Sequence, residues 1–161
     1  MEERFIREKK ELAYHAHIFD VYNDYLILPD GQKVIYDLID HIPGCCVLPV
    51  DENGQLIFVR QYRNALDDMT LEVPAGCMDK GETPEQCIRR ELKEETGLDL
   101  ISINKINSKD KLYLSPGMTD ESVAFVYCLC DGEITDKYQE DDSTIGLLGN
   151  EKIEGYSHSC N

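Results

Sequence analysis

The apolar positions in the first half of the chain fall in short runs separated by turn-forming residues, which is the pattern of successive strands. Residues 17–22 and 25–28 are two such runs with Asn23 and Asp24 as a turn between them, and Pro29, Asp30 and Gly31 make the next break. Residues 34–39 predict a further strand. Residues 45–50 and 56–61 flank Asp51, Glu52, Asn53 and Gly54, whose Asn-Gly step is a strong hairpin signal. A short strand over 70–73 then runs into Pro74, Ala75 and Gly76.

The period changes after that point. Thr83, Pro84, Glu85 and Gln86 combine an N-cap threonine, proline at the first helical position and glutamine at the third, and Gly97 is a natural terminator. A helix is therefore predicted from about Thr83 to Gly97. Residues 101–106, 111–114 and 122–130 again read as strands, while the tail from Asp131 is polar with weak periodicity. Strands with few helices in mixed order predict a compact α/β (α+β) domain.

Composition narrows the function. A length of 161 residues, 42% of them hydrophobic and 30% charged, suits one globular domain. No run of about 18 apolar residues predicts a membrane span, and the charged start MEERFIREKK lacks the apolar stretch of a secretory signal. A cytoplasmic protein without a membrane partner is the expectation. The formal charge of -16 would repel nucleic acid and would oppose any anionic substrate. A phosphorylated substrate would need divalent cations and a few placed arginines to neutralise it. The seven cysteines (45, 46, 77, 87, 128, 130 and 160) form no Cys-x-x-Cys pair, and buried, reduced core thiols are expected. Histidines 15, 17, 41 and 158 are scattered, with ordinary surface or core roles expected.

Candidate chemistry lies on the predicted helix. At about 100° per residue, Glu91, Glu94 and Glu95 fall within an arc of roughly 100°. Lys93 lies off that arc, and Ile88 and Leu92 lie beside it as core anchors. An acidic helix face commonly means only solvation, but carboxylate oxygens are also what Mg²⁺ selects. The spacing decides between the two. Residues 76–98, GCMDKGETPEQCIRRELKEETGL, carry Gly76, Glu82, Arg90, Glu91, Leu92, Glu94, Glu95, Gly97 and Leu98 at every fixed position of the Nudix box. At background frequencies of roughly 5–9% per residue, its seven fixed identities coincide by chance on the order of 10⁻⁸ per start site.

The chain thus resembles the Nudix hydrolases. That resemblance implies an α/β/α sandwich with a mixed sheet and a loop-helix-loop box, over residues 43–161, preceded by extra antiparallel strands in residues 1–42 that pair with a second copy in a homodimer. It implies Mg²⁺, with Mn²⁺ as an alternative, on Glu91, Glu95 and the carbonyl of Ala75. Glu94 would be a further ligand or a proton acceptor, Arg90 would orient the glutamates and Glu82 would support the loop. Arg60-Gln61-Tyr62-Arg63, the run from Leu71 to Gly76 and the loop from Tyr113 to Glu121 resemble the ADP-ribose pyrophosphatase branch. By that likeness Arg63 would contact the substrate diphosphate, Arg60 would be a further substrate-binding residue, Ser115, Pro116 and Gly117 would form the substrate loop, and Glu121 would face the terminal ribose. The expected reaction is metal-dependent hydrolysis of ADP-ribose or a related nucleoside diphosphate sugar.

The tail departs from the branch's pattern. Gln139 to Asp142 resembles the acidic loop that supplies a catalytic glutamate, which makes Glu140 a candidate base, but residues 143–148 already resemble the closing helix. A nucleotide-sensing module with little turnover is the alternative from another class, and a Nudix enzyme for other nucleotides is a third reading. Sensing modules usually lose box glutamates, all of which are present here.

Overall fold

The computed structural model describes residues 4–104 and 112–138. Its strands are β1 (Ile6–His15), β2 (Phe19–Ile27), β3 (Lys33–His41), β4 (Gly44–Val50), β5 (Val59–Arg63), β6 (Asp68–Glu72), β7 (Ala75–Cys77), β8 (Asp99–Asn104), β9 (Leu112–Tyr113) and β10 (Ser122–Asp131). One helix, α1 (Pro84–Thr96), lies between β7 and β8. The class is the α+β one expected, and the closing helix expected over 143–148 lies outside the described residues. The chain divides into two compact units, Met1–Pro43 with Lys111–Val123, and Gly44–Asp110 with Ala124–Asn161.

The first unit is built on an antiparallel sheet ordered β1-β2-β3. β2 runs straight through Asn23 and Asp24, which corrects the turn expected there. The reason is tertiary: Asp24 is buried and accepts a two-point ion pair from Arg7 of β1, at 2.7 Å from Nε and 2.8 Å from Nη2. β1 itself was not legible, because nearly all of its residues are exposed and no alternation marks a buried face. The turn at Pro29 to Gly31 does form, with Gly31 N–H donating to the carbonyl of Leu28 at 2.9 Å. The loop after β9 is fastened to β3. Ile39 N–H donates to Met118 O at 2.9 Å, Asp120 N–H returns to Ile39 O at 3.1 Å, and His41 N–H donates to Asp120 Oδ1 at 2.9 Å.

The second unit holds the strand order β7-β4-β10-β8, together with the two-stranded β5-β6 hairpin. The turn at Asp51 to Gly54 forms, its Asp51 Oδ1 accepting from Asn53 N–H at 2.9 Å and Gln55 N–H at 2.7 Å. The expected hairpin nevertheless stops at a single bridge, Val50 to Leu56, and β5 then pairs with β6 in unbroken register. One core gathers Cys45, Val47, Ile57, Cys87, Ile88, Leu92, Leu98, Leu100 and Val126. Ile88 and Leu92 anchor α1 there, each burial contributing about 1.5–3 kcal/mol.

The helix ends are as the sequence predicts. Thr83 accepts from Gln86 N–H while the Gln86 side chain accepts from Thr83 N–H, a complete capping box, and Gly97 closes the helix at φ 78°. Cys45 of β4 and Cys87 of α1 are joined as a disulfide, which corrects the expectation of reduced thiols for these two residues. Strand and helix project them into the same core from opposite sides, a juxtaposition that a separation of 42 residues hides. Cys128 and Cys130 are free, buried thiols, and burial pushes them up to about 12 and about 11. Among the described residues no helix is long and apolar enough to cross a membrane.

Candidate active site

α1 and the loop between β7 and α1 position the acidic side chains. Arg90 is their centre. Its Nε and Nη2 donate to Glu82 Oε1 and Oε2, both at 3.0 Å, and its Nη1 donates to Glu91 at 2.7 Å and Glu94 at 3.0 Å. Nη2 also reaches the carbonyl of Cys77 at 3.0 Å. One guanidinium thus binds one carboxylate from the loop, two from the helix and a backbone oxygen, a use of the planar fork that lysine cannot reproduce. Glu82 Oε2 in turn accepts from Asp79 N–H at 2.9 Å, closing the loop ahead of the helix.

Glu91 and Glu95 are both nearly buried, at 8% and 9% exposure. Burial pushes Glu91 up from the ordinary carboxylate range, and Arg90 opposes that shift. Burial pushes Glu95 up to about 8, the charge of Glu91 adding to it, while the Ala75 N–H and the charge of Arg63 act the other way. Ala75 N–H donates to Glu95 Oε2 at 3.2 Å. Arg90 holds the Glu82 carboxyl below its usual range.

Gly76 explains how Glu91 reaches this position. A Cβ built at 76 would lie 1.9 Å from Glu91 Oε1 and 2.5 Å from Oε2, so the carboxylate occupies the space that any other residue would fill. Two desolvated carboxylates on one helix face, Glu91 packed against Gly76 and Glu95 on the Ala75 N–H, are costly unless a cation shares them. The donor set is all oxygen, which fits Mg²⁺ or Mn²⁺. Among the described residues no three acidic, histidine or cysteine side chains converge as a ready metal cage. Arg90 instead holds Glu91 and Glu94, while Glu95 turns to the backbone of Ala75.

Arg63 sits at the end of β5 in a two-point ion pair with Glu72 of β6, Nε at 2.7 Å from Oε1 and Nη2 against Oε2. Thr70 Oγ1 lies 2.5 Å from Glu72 Oε1 and 3.0 Å from the carbonyl of Gln61, sharing its one proton between them. Arg63 and Thr70 together hold the Glu72 carboxyl below its usual range. Arg60 is exposed, and its separation from Arg63 in an unbroken ladder puts the two on opposite faces of β5. The sequence reading grouped them as a pair and singled out neither Glu72 nor Thr70. Their shared face with Arg63 follows only from the β5-β6 register, which no periodicity in the sequence announces.

In the other unit, Ser115 accepts from the N–H groups of Met118 and Thr119 at 3.1 and 3.0 Å, and Glu121 N–H donates to Thr119 Oγ1 at 2.9 Å. Pro116 and Gly117 are exposed at the tip of this turn. Glu140 lies outside the described residues.

Comparison with known proteins agrees with the box. A NUDIX domain model matches residues 40–148. An ADP-ribose pyrophosphatase of Bacillus subtilis is 37% identical over 114 residues, covering 71% of this chain and 60% of that protein. A GDP-mannose pyrophosphatase of Yersinia enterocolitica is 32% identical over 151 residues, covering 87% of this chain and 74% of that protein. Among solved structures, a crystal structure of an ADP compounds hydrolase superposes with a TM-score of 0.74 at 19% identity, over 91% of this chain and 78% of that one, a likeness of fold. The chain belongs to the Nudix family. It spans about 60% of the length of the Bacillus relative.

Proposed function

We propose that this protein hydrolyses the diphosphate bond of ADP-ribose or a closely related nucleoside diphosphate sugar, giving a nucleoside monophosphate and a sugar phosphate. The observation that carries the reading is the pair of buried carboxylates, Glu91 and Glu95, with Glu91 packed into the space left by Gly76 and Arg90 gripping the rest of the acidic cluster. The relatives named for ADP-ribose and GDP-mannose support the substrate class.

Glu91, Glu95 and the carbonyl of Ala75 would hold Mg²⁺ or Mn²⁺, with Glu94 as a further ligand or the proton acceptor. When bound, such an ion neutralises phosphoryl charge and makes water a better nucleophile. Arg90 keeps Glu91 and Glu94 oriented for this task, and Glu82 braces Arg90. Arg63 would meet the diphosphate. Little covalent work is asked of the protein, so orientation and charge carry most of the rate. Glu140 would take the proton from the attacking water, with Glu94 as the alternative base.

The setting would be the cytoplasm, and the protein would act as a homodimer. The apolar side chains of Ile6, Tyr14 and Ile35, exposed on one face of the N-terminal sheet, support a docking face for a second copy.

The deciding experiment compares ADP-ribose, GDP-mannose, NADH, diadenosine polyphosphates and 8-oxo-dGTP at equal concentration with Mg²⁺, following product release by chromatography with an EDTA control. AMP from ADP-ribose that disappears with EDTA is the expected result. Metal-dependent binding with no product from any substrate would replace the enzyme by a nucleotide-sensing module.

A further inference from the structure

We propose that Glu72 is a positioning residue for Arg63, fixing the plane of the guanidinium that meets the substrate diphosphate; this rests on the assignment of Arg63 above. β5 and β6 pair without a shift from Val59 opposite Glu72 to Arg63 opposite Asp68. The pleat therefore puts Arg63, Thr70 and Glu72 on one face of the hairpin. Arg63 reaches back along the ladder to Glu72 and binds it at two points, through Nε and Nη2.

A single contact would leave the guanidinium free to swivel, whereas a two-point contact sets its plane. Glu72 is itself held, because Thr70 Oγ1 lies 2.5 Å from the oxygen that takes Arg63 Nε. The connection that follows Glu72 is also fixed. Pro74 is fully buried and its carbonyl accepts from Val47 N–H of β4 at 2.9 Å, and Ala75 N–H then meets Glu95. Three residues thus lead from the grip on Arg63 to the hydrogen bond on Glu95. The arginine is indexed to the acidic helix through an anchored backbone rather than through a loose loop.

A half-exposed ion pair on a two-stranded hairpin contributes little to stability. Its effect is preorganisation: a guanidinium already set in plane loses less rotamer freedom when it meets a diphosphate. The pairing offsets part of the long-range charge of Arg63, so what Glu72 adds is orientation.

The test is a double-mutant cycle of Arg63→Ala and Glu72→Ala, with Glu72→Gln as the conservative variant and thermal melts to show that each is folded. In steady-state hydrolysis of ADP-ribose, Glu72→Ala should raise KM by about tenfold with kcat changed by less than about twofold. Glu72→Gln should recover part of that loss. In the Arg63→Ala background, Glu72→Ala should change KM by less than about twofold. The four proteins of the cycle are titrated calorimetrically with methylenediphosphonate and Mg²⁺. A wild-type chain that hydrolyses none of the sugar nucleotides refutes the proposed function, and the coupling of the two residues is then read from diphosphonate affinity. Additive losses in the cycle, or wild-type affinity in Glu72→Ala, overturn the positioning role. A wild-type chain that binds no diphosphonate overturns it together with the assignment of Arg63.

Discussion

The carboxylate of Glu91 lies where a side chain at position 76 would have to be, with Oε1 only 1.9 Å from the Cβ that Gly76 lacks. The atoms in the way belong to the far end of one side chain, so Gly76→Ala displaces the Glu91 carboxylate more readily than it disturbs the backbone. The expected outcome is a loss of metal-dependent turnover by orders of magnitude with little change in melting temperature. A variant with near-normal Mg²⁺-dependent hydrolysis would separate Glu91 from the metal.

Glu95 gives a pH dependence with a definite sign. Its carboxyl moves from an ordinary 4.5 up to about 8 on folding. Between these values the folded state binds more protons than the unfolded one, so stability falls as pH rises. The contribution of this group is fully present below about 4.5 and lost as pH passes through about 8. In EDTA, the melting temperature of Glu95→Gln should decline less from pH 5 to pH 8 than that of the wild type. The same variant should lose turnover by orders of magnitude, and parallel melting profiles would remove Glu95 from this role.

Arg90→Lys keeps the charge and discards the fork that binds Glu82, Glu91 and Glu94 together. Losing charge-assisted bonds at a partly buried centre should cost about 2 kcal/mol in urea unfolding. Turnover should fall as well, since two of the acidic side chains lose their orientation. Equal stability of the two proteins would contradict the clamp.

Reduction tests the link between β4 and α1. A disulfide across 42 residues contributes about 4 kcal/mol in the chain-entropy account. A thiol reductant should therefore lower the melting temperature of the wild type and leave Cys45→Ala unaffected. An identical melt with and without reductant would show that the bond is not present in solution.

The helix and its chemistry were legible because their determinants are local. The cap at Thr83, the stop at Gly97, the anchors Ile88 and Leu92 and the acidic arc all lie within one continuous stretch. The strands were legible where one face is buried, as in β4 and β10, and illegible in β1, which has no such face. The turn wrongly expected at Asp24 shows the other limit: a turn-forming residue type was overruled by Arg7, seventeen positions away. Glu72 was unreadable for the same reason as the Cys45–Cys87 bond, since each depends on which distant segment lies alongside.

The odd spacing between Arg60 and Arg63 has a consequence for how this segment tolerates insertions and deletions. Because the strand alternates, parity rather than distance decides which arginine shares a side with Glu72. Removing either Gln61 or Tyr62 would bring both arginines to the same side and crowd two cations against one carboxylate. Inserting one residue between Tyr62 and Arg63 would also leave both arginines on a single side. Residues added at the tip between β5 and β6 would leave the count along either strand unaltered. The four letters from Arg60 to Arg63 thus behave as a two-sided ruler whose markings cannot be moved one step at a time.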